Sequence, residues 1–88
     1  MARESKGIPN RLWQYRNLMG FTQLEVAEKL GLANTSMISR WESGVTMPSS
    51  KNLLKLSKLY KTLANELYWE LGKEIEKELF PASSINDP

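Results

Sequence analysis

An all-α domain of five helices is the fold that this 88-residue sequence predicts, and three observations predict it. Apolar residues recur three and four apart along most of the chain, the period of a helix with one buried side. Helix punctuation falls between those runs: Gly20, Gly31 and Gly44 as stops, Thr22, Asn34, Ser49, Ser50 and Thr62 as starts. Between Thr22 and Gly44 the punctuation comes so close together that two short helices must share one tight glycine turn. A chain of this length makes one domain and buries roughly 60–65% of its unfolded surface.

The elements follow in order. Residues 1–7 are polar and aperiodic, a basic arm carrying Arg3 and Lys6 and expected to be flexible. Pro9 suits a first helical turn, so the first helix is expected from about Pro9 to Met19, with Ile8, Leu12 and Tyr15 toward the core. Trp13 lies off that stripe; it covers the C-terminal helix or a partner, or is simply part-exposed. Thr22 to Glu25 has the form T-x-x-E, in which the hydroxyl accepts from the N–H of Glu25 and the Glu side chain reaches back to Thr22. The second helix starts there, buries Val26, Ala27 and Leu30, and ends at Gly31. Asn34 caps a third helix to Ser43, anchored by Ile38 and Trp41, with Thr35, Ser36, Ser39 and Arg40 on the opposite side. A fourth helix runs from Ser49 or Ser50 to about Lys61, with Leu53, Leu56, Leu59 and Tyr60 as core. Thr62 caps a long fifth helix over 63–80, on which Leu63, Leu67, Leu71, Ile75 and Leu79 recur every four residues. Pro81 stops it, and 81–88 reads as a disordered tail. The structured domain is thus expected over 8–80.

The second and third helices together form a helix-turn-helix over 22–43, a motif whose second helix can enter a DNA major groove. The residues Arg16, Gly20-Phe21-Thr22-Gln23, Val26-Ala27, Leu30-Gly31, Ile38-Ser39-Arg40-Trp41-Glu42, Gly44 and Pro48 resemble the family of the Cro and lambda-type repressors, also called the XRE family. The stretch from Gly31 to the Ile-Ser-Arg-Trp-Glu run is one residue longer than that family's usual turn. The resemblance covers about Ile8 to Tyr68. It implies a lambda-repressor-like domain with an extended C-terminal helix, and a sequence-specific transcriptional regulator, a repressor by type.

It also implies roles for individual residues. Arg16 and Glu42 would form a structural ion pair. Gln23, at the start of the second helix, would touch a DNA phosphate, where free N–H groups favour an anion. Asn34, Thr35, Ser36, Met37, Ser39 and Arg40 fall at the recognition helix. Arg40 is the strongest base reader, because a guanidinium bonds guanine O6 and N7 together. Met37 reaches a thymine methyl or fills a packing gap. Ser43 and Thr46 would hold the phosphates together with the backbone of their loop, although Val45 and Met47 stand where the family often has basic residues.

Charge supports a polyanion partner for one part of the chain only. The net charge is +2, but residues 1–62 hold ten Lys/Arg against four Glu, net +6, and residues 63–88 hold two Lys against six acids, net −4. The C-terminal helix should point away from DNA. Its apolar residues Trp69, Ile75, Leu79 and Phe80 exceed what so small a domain hides, so they suggest a homodimer contact or a protein-partner surface. The alternative is a helix folded back over the first helix and Trp13.

The sequence has no Cys and no His. Disulfides and thiolate sites are excluded, a zinc site or another cofactor is not expected, and the commonest catalytic base and nucleophile are missing. An enzyme is therefore not expected. No apolar run approaches the ~20 residues of a membrane span, nor is there a signal-peptide core. The expectation is a cytoplasmic protein binding double-stranded DNA, a palindromic operator if it is dimeric. The competing expectation is an antitoxin- or adaptor-type interaction module whose C-terminal helix engages another protein.

Overall fold

The computed structural model describes residues 7–81, so the expected arm and tail lie outside the described residues apart from Gly7 and Pro81. Six helices, and no strand among these residues, make up the fold. They are α1 (Leu12–Met19), α2 (Gln23–Leu30), α3 (Ser36–Glu42), α4 (Ser50–Leu59), α5 (Ala64–Leu67) and α6 (Trp69–Leu79).

α1 starts three residues later than Pro9 suggests. The Ile8 N–H donates to the Gly44 carbonyl at 2.9 Å, which draws 8–10 across the end of α3 in a non-helical path. Arg11 is then the N-cap position, and the Asn10 Oδ1 just before it accepts the Leu12 N–H at 3.0 Å. Gly44 is needed at that crossing: its φ is +81°, and a Cβ there would stand 2.6 Å from both the N and the O of Ile8. Gly20 ends α1 in the left-handed conformation expected of it.

α2 is bounded as the sequence dictates. Thr22 Oγ1 accepts from the Glu25 N–H at 3.0 Å, Glu25 Oε1 accepts from the Thr22 N–H at 2.8 Å, and Gly31 closes the helix at φ +78°. α3 begins two residues after Asn34, whose Oδ1 accepts the Ser36 N–H at 2.9 Å. Ser49 caps α4 through the Asn52 N–H. The helix closes at Tyr60, one residue before the expected end, and Lys61 turns the chain at φ +55°.

The long fifth helix is two helices. Tyr68 leaves the helical region at φ −124°, ψ 45°, and the Leu67 carbonyl accepts the Arg11 N–H at 2.8 Å. A continuous helix would give that carbonyl to the amide four residues on. The break lets Leu67 and Tyr68 both enter the core. Thr62 does not cap α5: the N-cap position is Leu63, which is exposed, and the Thr62 carbonyl accepts the Ser57 hydroxyl instead.

Leu12, Val26, Ala27, Leu30, Ile38, Trp41, Leu56, Tyr60, Leu67 and Tyr68 form one core shared by α1 to α5. Burying a large apolar side chain contributes roughly 1.5–3 kcal/mol, so Trp41 and Ile38 firmly seat the inner side of α3. α6 stands apart. It has no buried residue, and only its root is tied: Arg11 Nη2 lies 2.7 Å from Glu70 Oε2, with the guanidinium 5.9 Å from the Trp69 ring centre. It does not fold back over Trp13, which is 56% exposed. The projecting helix gives the described chain extents of 50 × 29 × 22 Å.

Candidate nucleic-acid interface

The buried half of the motif sets the exposed half. Arg16 Nε donates to Glu42 Oε2 at 2.5 Å and Nη2 to Oε1 at 3.1 Å, while Nη1 donates to the Phe21 carbonyl at 2.9 Å. One guanidinium therefore ties α1, the turn into α2 and the end of α3. The pair is nearly closed to water, with 11% and 7% of the two side chains exposed. The hydrogen bond to Glu42 raises the Arg16 pKa further, so its charge is permanent.

Asn10 adds a second tie. Its Nδ2 donates to the carbonyls of Ile8, Trp41 and Glu42 at 3.0, 3.1 and 3.3 Å. The two last carbonyls lie at the end of α3; that of Trp41 also accepts the Gly44 N–H, and that of Glu42 has no amide following to take it. Nothing local in the sequence marks this role, because it joins residues more than thirty positions apart.

Ile38 and Trp41 thus anchor the back of α3, and its other side is bare. Asn34, Ser36, Met37, Ser39 and Arg40 are exposed and Thr35 is half-buried. Among the described residues the Arg40 guanidinium has no intramolecular partner. Asn34 spends its carbonyl oxygen on the Ser36 cap and keeps its amide NH2 outward-available.

At the start of α2 the capping box uses the Thr22 and Glu25 N–H groups, leaving those of Gln23 and Leu24 without an intramolecular acceptor. The Gln23 side-chain amide is already committed: Nε2 donates to Glu42 Oε1 at 3.1 Å. That bond uses one of the two Nε2 hydrogens, so the second, together with the backbone N–H, remains open to an anion. A cleft of about 450 Å³ joins this helix start to α1 and α3, lined by Asn10, Trp13, Gln14, Gln23, Ser39, Glu42 and Ser43. Gln14 and Asn10 were not among the expected site residues; their place follows only from the packing of α1 on α3.

The loop after α3 differs from expectation. Ser43, Gly44 and Val45 donate their N–H groups to the carbonyls of Ser39, Trp41 and Arg40, so those amides are closed to a phosphate. The Thr46 and Met47 amides have no acceptor among the described residues. Ser43 is exposed, with its hydroxyl 3.2 Å from the Arg40 carbonyl. The Thr46 Oγ1 is buried and has no hydrogen-bond partner among the described residues. Val45 and Met47 are exposed beside it.

Trp69 opens α6 and Ile75, Leu79 and Phe80 lie farther along it; all four are exposed, and none lines the cleft beside α3. No helix among the described residues is long and apolar enough to cross a membrane.

Comparison with known proteins agrees with this geometry. A family model described as helix-turn-helix matches residues 14–67. The chain is 41% identical over 67 residues to the HTH-type transcriptional regulator ImmR of Bacillus subtilis (strain 168), an alignment covering 76% of this chain and 50% of that protein. The chain thus spans about half the length of this curated relative. No solved structure matches it.

Proposed function

Because the chain belongs to the helix-turn-helix family of the Cro and lambda-repressor type, we propose that it is a DNA-binding transcriptional regulator, a repressor acting in the cytoplasm on a defined operator. α3 enters the major groove, where Arg40 reads guanine and Ser36, Ser39 and Thr35 add adaptable hydrogen bonds. The N–H groups at the start of α2 and those of Thr46 and Met47 hold phosphates and set the register. The single observation that carries this reading is the two-sidedness of α3: Ile38 and Trp41 are 1% exposed while the polar side is bare and Arg40 is unpaired.

Two copies joined through α6 would read a palindrome with half-sites ~34–36 Å apart. The acidic C-terminal segment is consistent with a helix kept off the DNA.

Selection of bound duplexes from a random pool, followed by titration across salt, tests this. The expected result is one recoverable site, bound at least ~10³-fold more tightly than random duplex, with log affinity falling linearly in log salt. Failure to recover any site, with affinity indifferent to salt, overturns it.

A second reading has its own observation. Beyond Leu71, α6 packs no apolar residue on the core, and exposed Val45 and Met47 weaken the phosphate grip, as in an antitoxin or adaptor whose last helix engages another protein. That reading expects the purified chain to aggregate alone and to become well behaved beside a co-expressed neighbour.

A further inference from the structure

A second surface lies away from α3. The end of α2 and the outer side of α4 enclose an open groove of about 550 Å³. Leu54 and Leu59 make its floor, and Lys29, Lys51, Lys55 and Lys58 stand round it. Leu54 is 62% exposed, so this floor is open to a partner. None of the four lysines joins an ion pair among the described residues. Lys55 donates to the Leu30 carbonyl at 3.3 Å, which holds its ammonium at the rim.

The same chain carries the complement of that groove. At about 100° per residue, Leu71, Ile75 and Leu79 form one stripe along α6. Glu74 and Glu78 border it on one side and Glu76 on the other, while Lys73 and Lys77 fall on the back. Lys73 reaches from there to Glu76, 3.6 Å from its Oε1, with its ammonium 5.1 Å from the Trp69 ring centre, so Glu76 is already paired and Glu74 and Glu78 are the open carboxylates. The stripe is apolar between carboxylates; the groove is apolar between ammonium groups.

We propose that α6 of one copy lies in the lysine-rimmed groove of a second copy, so that two copies exchange C-terminal helices. This rests on the reading of α6 as a dimer element and names the surface that receives it. Charge decides between the two obvious modes of association. Two α6 helices packed stripe to stripe would bring carboxylate rows together on both flanks. In the groove Glu74 and Glu78 face lysines instead of a second row of carboxylates, and the apolar floor covers Ile75 and Leu79. Eleven residues make a helix of roughly 16 Å, and a reciprocal exchange forms the junction twice.

The test uses two single variants at exposed sites, each checked for unchanged helix content. Leu54→Glu spoils the groove and leaves the helix; Leu79→Glu spoils the helix and leaves the groove. Sedimentation equilibrium should give a dimer for the parent chain and at least a tenfold weaker association for either variant alone. An equimolar mixture should recover association, since one sound helix still finds one sound groove. A dimeric Leu54→Glu beside a monomeric Leu79→Glu overturns the groove and leaves α6 as a dimer element that pairs with itself. A parent chain monomeric at every concentration overturns both. As a second measurement, Lys55→Glu with Lys58→Glu, or Glu74→Lys with Glu78→Lys, should each weaken association, and all four in one chain should restore it. No restoration removes the charge argument and the proposal with it.

Discussion

The Arg16 guanidinium grips Glu42 through two nitrogens, Nε at 2.5 Å and Nη2 at 3.1 Å, and a third nitrogen takes the Phe21 carbonyl. The recognition helix is therefore fixed to α1 by a charge-assisted fork rather than by apolar packing alone. Removing one partner leaves the other buried and uncompensated. Arg16→Ala and Glu42→Ala should each lose roughly 3–5 kcal/mol of stability. Arg16→Ala combined with Glu42→Ala should lose clearly less than the two single losses together, as read from urea denaturation in a double-variant cycle.

Asn10 should matter about as much as a buried hydrogen-bonding core residue, although it precedes the first helix. Asn10→Ala removes the acceptor for the Leu12 N–H and the donor for the last carbonyls of α3, a loss of about 1–3 kcal/mol. Asn10→Asp keeps an acceptor for the Leu12 N–H but turns a carboxylate toward three carbonyl oxygens. It should be no more stable than Asn10→Ala in the same denaturation assay.

Arg40 is exposed and its guanidinium has no partner among the described residues, so Arg40→Ala should leave stability within about 0.5 kcal/mol of the parent. Against the selected site it should lose roughly 1–3 kcal/mol, and repeated selection should show one base pair relaxed. Uniform weakening with every base preference retained would reassign Arg40 to the phosphates.

Two buried tyrosines set an alkaline limit. Burial pushes the Tyr68 hydroxyl from 10.0 up to about 12. Burial first, and then the Glu42 charge, raise that of Tyr60. Both groups are neutral below their unfolded pKa near 10, so stability should be level up to about pH 9. Above pH 10 the unfolded chain releases protons that the folded chain keeps, and stability should fall by up to about 1.4 kcal/mol per pH unit for each tyrosine. Tyr68→Phe deletes a hydroxyl with no partner. It should be neutral or stabilising at pH 7 and should flatten part of the alkaline fall, measured as denaturation midpoints from pH 8 to 11.5.

By itself the sequence determined what neighbours along the chain can decide. The Thr22–Glu25 box, the Ser49 cap, the stops at Gly20 and Gly31 and the inward Ile38 and Trp41 all stand as read, because caps and helical period depend on residues within about a turn. The Arg16–Glu42 contact was reached through family resemblance; periodicity is silent about it. Tertiary structure alone decided the rest. The Leu63–Phe80 repeat reads as one helix, yet Arg11 takes the Leu67 carbonyl from the far side of the molecule and the helix divides at Tyr68. Pro9 signals a helix start, yet Ile8 is held to Gly44 and the start passes to Arg11. In each case a partner distant in sequence outweighed a local preference, since one hydrogen bond or buried side chain contributes as much as the preference it overrules.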